Sequence, residues 1–204
     1  MNNATVILLG GAPLVGKTAV ARKLAGQWAY GCVSTDDLAD AITAVTTPQS
    51  HPHLHLLEQK DHRKYFIKHT AARLVADAEY LNEGLWPALK KIIIKHGERA
   101  DPLVIEGWHL MPHRVAQLDQ KGIYSLWLVA EREFFEQKVH QQAELFHQTA
   151  MADELMRKFI ERSTIINDNI RQAATSLSLP IVEVSPPDTT EEIYERCLEV
   201  IKQS

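Results

Sequence analysis

The sequence predicts a three-layer α/β/α sandwich built on a five-stranded parallel sheet. Three observations carry that expectation. Short apolar runs alternate with longer helical patterns along the chain, and that spacing leaves room for the crossover connections of a parallel sheet. The runs are apolar at consecutive positions, as in LVI and LWLV, which suits strands covered by helices on both faces. The first run opens into a glycine-rich turn ahead of a helical pattern. In open α/β sheets such turns hold ligands at the carboxyl edge.

Residues 5–9 form the first strand, ended by Gly10 and Gly11. A helix over 17–28 sets Val20, Leu24 and Trp28 on one face. Residues 31–34 form a second short strand. Asp36 and Asp37 precede a helix over 38–45, and the segment 47–55, rich in Pro and His, is a loop. A long helical pattern over 61–82 carries Tyr65, Ile67, Ala71, Leu74, Val75, Ala78 and Leu81. A separate helix over 85–96 takes Pro87 in its first turn, where proline is tolerated, and stops at Gly97. Residues 102–106 are the third strand, stopped by Gly107, and 124–129 the fourth. Helices cover 131–148 and 151–177, the second with Met151, Leu155, Phe159, Ile166 and Ile170 as its core stripe. Residues 179–184 are the fifth strand, and an amphipathic helix over 189–202 closes the chain.

The 204 residues fit a single domain over 1–204. A hydrophobic share of 45% and a charged share of 24% place it with ordinary soluble globular proteins. Its two cysteines, Cys32 and Cys197, are far apart and match neither a disulfide framework nor a metal motif. A reduced, cytoplasmic setting is expected. The net charge of -4 disfavours general nucleic-acid binding, which needs a basic face. The first residues lack the charged region of a signal peptide. No run reaches the roughly 20 apolar residues that span a bilayer, so no membrane partner is expected. No pattern specifies an oligomeric state.

The chemistry begins at Gly11. Gly11-x-x-x-x-Gly16-Lys17-Thr18 is the full Walker A pattern, with a strand before it and a helix after it. The nine residues Gly11, Ala12, Pro13, Leu14, Val15, Gly16, Lys17, Thr18 and Ala19 form the phosphate cradle. The glycines let the backbone curl so that its N–H groups meet phosphate oxygens. The helix start adds unpaired donors and the positive end of a dipole. Lys17 supplies charge to the β- and γ-phosphates of ATP, and Thr18 supplies a hydroxyl to Mg²⁺. The bland alternative, a glycine-rich turn that binds nothing, fits the complete octapeptide poorly. No guanine-reading NKxD segment is evident, although Asn167-Asp168-Asn169 is a loose lookalike.

Carboxylates follow two later strands. Ser34-Thr35-Asp36-Asp37 comes just after the second strand, on the edge where parallel strands end. Asp36 either takes a proton from an acceptor hydroxyl or holds a Mg²⁺ water, or else it caps a helix. The preferred reading makes Asp36 the base and Asp37 the cap or helper. Glu106 ends the third strand like a Walker B carboxylate, so Thr18, Asp36 and Glu106 are the candidate Mg²⁺ set. Gly107, Trp108 and His109 place an aromatic ring and an imidazole at the same mouth, with Trp108 either core or substrate wall.

Together GGAPLVGKTAVARKLA, STDD and VIEGWHLMP resemble the 2-phosphoglycerate kinase family of P-loop kinases. That family has a GVGKS-type loop, an STD segment after the second strand and EGVHLVP after the third. WPALKKII and the helical stretch after LWLVAE extend the likeness over most of the chain, motif by motif. The sequence departs from the pattern at Pro13, Leu14, Thr18 for Ser, and Trp108 for Val. The resemblance implies an ATP-dependent kinase that phosphorylates a hydroxyl of a small, anionic, 2-phosphoglycerate-like metabolite. It implies an acceptor-binding helical region at about 36–97 and a helical lid at about 131–164. Thr35, Asp36, Arg63, Glu106, Gly107, Trp108 and His109 are the candidate acceptor residues.

A lid cation neutralises charge on the transferring group, and closure excludes water. Arg132, Lys138, Arg157, Lys158 and Arg162 are available, several with acidic neighbours three or four positions away. Arg132 lies nearest the strand end, and Arg157 and Arg162 close over the site if the lid folds back. Lys17, Asp36, Arg132 and Arg157 make up the expected catalytic set. His51, His53 and His55 alternate in a way that places them on one side of an extended segment. No further ligand completes a metal site there, and an ordinary polar loop is the competing reading. The rival function is a nucleotide-binding regulatory switch or an ATPase with little transferase activity. The nucleotide is expected to seat its base near 185–188.

Overall fold

The computed structural model describes residues 5–56, 61–118, 121–142 and 151–203. The strands are β1 (Val6–Gly11), β2 (Gly31–Ser34), β3 (Leu103–Glu106), β4 (Ile123–Ala130) and β5 (Ile181–Val184). They form one parallel sheet in the order β2-β3-β1-β4-β5. β1 is central and buried along its whole length, whereas β2 at the edge is partly exposed. The expected sandwich is therefore the one found.

Two groups of helices cover the sheet. α1 (Lys17–Trp28) packs on β3 and against α8 (Thr190–Lys202), which also meets β5. α4 (Ala71–Arg99) and α7 (Ala152–Ser176) pack on each other and on β1, β4 and β5. Smaller helices fill the ends: α2 (Thr35–Ala44), α3 (His62–Lys68), α5 (Pro112–Val115) and α6 (Arg132–Gln141). Val20, Leu24, Leu85, Leu89, Ile93 and Ile170 are fully buried between helices and sheet. Each such side chain contributes about 1.5–3 kcal/mol of burial.

One buried aromatic fixes the loop after β3. The Trp127 indole N–H donates to the Leu110 carbonyl at 2.7 Å. Gly10 makes room for it, since a Cβ there would lie 2.2 Å from Trp127 Nε1. Trp127 thereby ties β4 to the segment that carries Trp108 and His109.

Several helix boundaries differ from the sequence expectation. The helix expected over 61–82 is two helices. Asp61 caps α3 by accepting from the N–H groups of Arg63 and Lys64, and Thr70 caps α4 by accepting from Arg73 N–H. Such side-chain caps satisfy donors that an uninterrupted helix would bond along its axis. α4 then runs without a stop to Arg99, through both Pro87 and Gly97. Pro87 removes one N–H donor from the ladder, but the packing of α4 on α7 and β1 carries the helix past it. The helix ends at Ala100, in the left-handed conformation with φ 51. α2 begins at Thr35 with Ser34 as its cap, so Asp36 and Asp37 sit in the first turn rather than at the cap. Met151, expected in the core stripe of α7, is 51% exposed, while Leu155, Ile166 and Ile170 are buried. The helix expected over 131–148 is described to Gln141, and 143–150, part of the expected lid, lie outside the described residues. Among the described residues no helix is long and apolar enough to cross a membrane.

Gly84, inside α4, lets the 51–55 loop pack flat on the helix. A Cβ on Gly84 would lie 2.4 Å from His53 Cβ, and the His53 ring stacks on Tyr80 at 3.9 Å. Glycine to alanine in an open helix gains about 1 kcal/mol. Here the sign reverses: Gly84→Ala is expected to destabilise the protein by roughly 1–3 kcal/mol through overpacking, read as a lower urea midpoint.

Candidate active site

Parallel pairing aligns Leu9 of β1 with Glu106 of β3, and Glu106 with Ser34 of β2. The turns leaving the three strands therefore emerge side by side. The first is the 11–16 loop. Gly11 has φ 142, Leu14 φ 70 and Gly16 φ 90. Glycine adopts these angles freely, whereas Leu14 is held there at a cost of roughly 1–2 kcal/mol. Gly11 also lies tight against β4, where a Cβ would meet the Leu128 carbonyl oxygen at 2.5 Å. Gly16 is the N-cap of α1 and no side chain caps the helix, so first-turn N–H groups remain open to an anion.

Lys17 folds back over this loop. Its Nζ donates to the Ala12 carbonyl at 2.7 Å, and the residue is only 7% exposed. Burial pushes its pKa down to about 8, against the opposing pull of the Glu106 and Asp36 charges. Thr18 Oγ1 donates to Glu106 Oε1 at 2.9 Å, and Glu106 is itself buried. A hydroxyl beside a carboxylate is a hard oxygen pair of the kind Mg²⁺ prefers. The open amides, the buried lysine and this pair together fit a magnesium nucleotide.

The second half of the site grows from α2 and the turn after β3. Asp36 Oδ1 accepts from Trp108 Nε1 at 2.9 Å and lies 3.2 Å from His109 Nε2. Burial raises the Asp36 carboxyl, but the bonds from His109 and Trp108 and the Lys17 charge outweigh it and hold the pKa below the usual value. His109 is buried, and its Nδ1 lies 2.6 Å from Asn82 Oδ1 of α4. Burial pulls its pKa down while Asp36 opposes the shift. With the proton on Nε2, a neutral ring donates to Asp36, and the Asn82 amide turns to donate to Nδ1. Asp36 is thus oriented by a chain that starts on a different helix. Gly107 (φ 151) presses this turn onto α2, for a Cβ there would lie 1.6 Å from Thr35 Oγ1. The Thr35 hydroxyl is buried and has no hydrogen-bond partner among the described residues.

Arg162 of α7 completes the mouth. Its guanidinium lies 5.1 Å from the Trp108 ring centroid and 5.4 Å from that of Phe66. Burial lowers its pKa to about 10, with the Asp36 charge opposing. Of the cations considered for the lid, it is the one beside Asp36. Arg132 pairs with Glu136 at 2.7 Å. Arg157 pairs with Glu154 at 2.6 Å and also with Glu161. Arg132 and Arg157 pair with carboxylates three or four positions away on the same helix, while Arg162 is the cation found near Asp36. Arg132 and Arg157 instead line a cleft of about 820 Å³ between α6 and α7. Arg63 is exposed on α3, and its backbone bonds Asp61.

The structure therefore brings Lys17, Thr18, Thr35, Asp36, Glu106, Gly107, Trp108 and His109 together, and leaves Arg63, Arg132 and Arg157 apart. Asn82 and Phe66 went unnoticed in the sequence. The signal for Asn82 was a polar residue on the buried stripe of α4. Asn167, read as part of a guanine-site lookalike, is buried, and its amide bonds both the N–H and the carbonyl of Ala130 at the end of β4. Near 185–188, Ser185 N–H donates to Asp188, which also pairs with Arg196. His51 bonds Ser50, His53 stacks on Tyr80, and His55 bonds Thr46, so the three histidines face different partners.

Strand order and strand-end loop together define a P-loop fold. Among solved structures the chain is similar to a gluconokinase from Sinorhizobium meliloti 1021 at 16% identity and TM-score 0.56, covering 100% of this chain and 94% of that one. It is similar to a shikimate kinase from Aquifex aeolicus vf5 at 15% identity and TM-score 0.55, covering 97% and 96%. A shikimate kinase from Acinetobacter baumannii in complex with shikimate matches at 14% identity and TM-score 0.51, covering 98% and 94%. At these identities the likeness establishes the shared fold. No family model matches the chain, and no curated protein matches it in sequence.

Lys17 supplies the stability test. Its pKa falls from 10.5 to about 8 on folding, and each unit is about 1.4 kcal/mol. Because the folded value lies below the unfolded one, the cost is complete below about pH 8 and fades as pH rises toward 10.5. Lys17→Met is expected to stabilise the ligand-free protein at pH 7 by roughly 1–3 kcal/mol, after allowing for the lost hydrogen bond. The gain should shrink above pH 8 in thermal melts. The same variant should lose the rise in melting temperature that Mg-ATP gives the wild type.

Proposed function

We propose that this protein is an ATP-dependent kinase that transfers the γ-phosphoryl group to a hydroxyl of a small anionic metabolite, with 2-phosphoglycerate as the model acceptor. The observation that carries this reading is the buried Lys17, Thr18 and Glu106 cluster beside Asp36 at one sheet edge. The kinases of similar fold are named for hydroxylated carboxylic acids, which favours an acceptor of that chemistry. The motifs shared with 2-phosphoglycerate kinases support the finer choice. The chain acts as one domain, with acceptor-binding helices within 36–97 and a lid within 131–164. The two free thiols, Cys32 and Cys197, agree with a cytoplasmic setting.

In this mechanism Lys17 Nζ would exchange the Ala12 carbonyl for a phosphate oxygen of ATP, and the open amides of α1 would hold other phosphate oxygens. Thr18 and Glu106 would hold Mg²⁺, directly or through water, and the ion would offset phosphate charge. Asp36 orients the acceptor hydroxyl and receives its proton. Its lowered pKa makes it a weak base. That suffices, because phosphoryl transfer passes through a loose transition state in which positioning matters more than proton abstraction. Arg162 meets the anionic group of the acceptor or the charge of the transferring phosphoryl.

The test is ADP release with Mg-ATP across a panel of hydroxy acids and their phosphate esters. Asp36→Asn should lose roughly 10²–10⁴-fold in turnover while keeping nucleotide affinity. Lys17→Ala turning over like the wild type would sink the mechanism. Tight nucleotide binding with no acceptor consumed would favour the regulatory switch instead.

A further inference from the structure

Two cavities lie beside the acceptor mouth, and a single indole separates them. The larger, about 480 Å³, sits between α4 and α7 and is lined in part by Val75, Glu79, Asn82, Met111 and Asn169. The smaller, about 140 Å³, sits among α3, α4 and α7 and is lined in part by Phe66, Asp77, Leu81 and Arg162. Only Ala78 and Trp108 line both. Ala78 is already small, so Trp108 is the side chain that keeps them apart.

The indole is held from three sides. Its Nε1 donates to Asp36 Oδ1 at 2.9 Å. The Arg162 guanidinium lies over its ring at 5.1 Å, and the His109 ring lies at 3.9 Å. A partition fixed in this way has one position relative to the candidate base. The two sides also differ in charge. The smaller cavity carries the Arg162 cation, for which no salt bridge is found among the described residues, with Asp36 its opposing charge. That cavity's own carboxylate, Asp77, is already met by Arg73 at 2.9 Å and by the Tyr65 hydroxyl. In the larger cavity the Glu79 carboxylate is already met by Arg114 at 2.7 Å and by His113 at 3.6 Å. An anionic acceptor therefore belongs on the Arg162 side.

We infer that Trp108 is the specificity-determining residue of the acceptor site. It confines the acceptor to the Arg162 side and closes off the larger cavity. This rests on the kinase reading given above. At about 30 Å³ for each water, the smaller cavity holds about four or five waters' worth of ligand. That is room for a compact hydroxy acid of about three carbons. Removing the indole joins the cavities and admits longer acceptors, while the Arg162 charge still selects for an anion.

The experiment compares wild type with Trp108→Val, Trp108→Leu and Trp108→Phe. The acceptors are hydroxy acids and phosphorylated hydroxy acids of three to six carbons, and ADP release is the readout. Mg-ADP thermal shift confirms that each variant keeps its nucleotide site. Trp108→Val is expected to raise the six-carbon to three-carbon ratio of kcat/KM by roughly tenfold or more, the scale on which pocket volume discriminates. Trp108→Leu removes less volume, guards against a folding failure, and should move the ratio the same way. Trp108→Phe keeps a ring but loses the N–H to Asp36, so its rate should fall while the wild-type ratio persists. An unchanged ratio in active Val and Leu variants overturns the inference and leaves the kinase reading standing. A shift in Phe as large as in Val also overturns it, by assigning the effect to the Asp36 bond. If every protein gains the Mg-ADP shift and none consumes an acceptor, the kinase reading fails and takes this inference with it.

Discussion

The alignment of Leu9, Glu106 and Ser34 across three neighbouring strands decides where the chemistry of this chain lies. Parallel strands end on a common side, so this register sets the 11–16 loop, the start of α2 and the turn after β3 against one another. A one-residue slip would turn Glu106 to the opposite face of β3 and away from Thr18. The fully buried β1 opposes such a slip, because shifting it would misplace a row of fully buried apolar side chains. Core packing thus specifies the distance between a hydroxyl and a carboxylate.

The electrostatics follow from that crowding. Lys17 is buried near two carboxylates, Glu106 and Asp36, which pull its pKa up while burial pulls it further down. The Ala12 carbonyl that it bonds offers only a partial negative charge, whereas a phosphate oxygen carries a full one and attracts the buried ammonium more strongly. The ligand-free site therefore stores a preference for an anion. Asp36 is different: its carboxylate opens to solvent on one side and is partly enclosed by Trp108 and His109, which orient it, His109 itself being backed by Asn82. The phosphate side is built by backbone and sheet, and the acceptor side by side chains borrowed from α4 and α7. That division separates a general anion cradle from a selective pocket.

Local patterns misled where tertiary contacts outweighed them. Pro87 and Gly97 punctuate a helix in isolation, but α4 is held continuous by packing along its length. Arg132 and Arg157 each have a glutamate one turn away and pair with it. Arg162 lies instead between two aromatic rings contributed by α3 and by the turn after β3. No spacing within α7 reveals those rings.

The sequence by itself determined the five strands in their order along the chain, the phosphate loop, and the positions of Asp36 and Glu106 at strand ends. These rest on short-range rules: apolar runs make strands, glycines permit positive φ, and a strand followed by that loop and a helix presents amides to an anion. Only the tertiary structure decided that Glu106 meets Thr18, that His109 links Asn82 to Asp36, and that Trp108 stands between two cavities beneath Arg162. Those contacts join residues from 27 to 88 positions apart along the chain. Their partners are chosen by how helices pack across the sheet, a choice to which the local pattern of any one segment is blind.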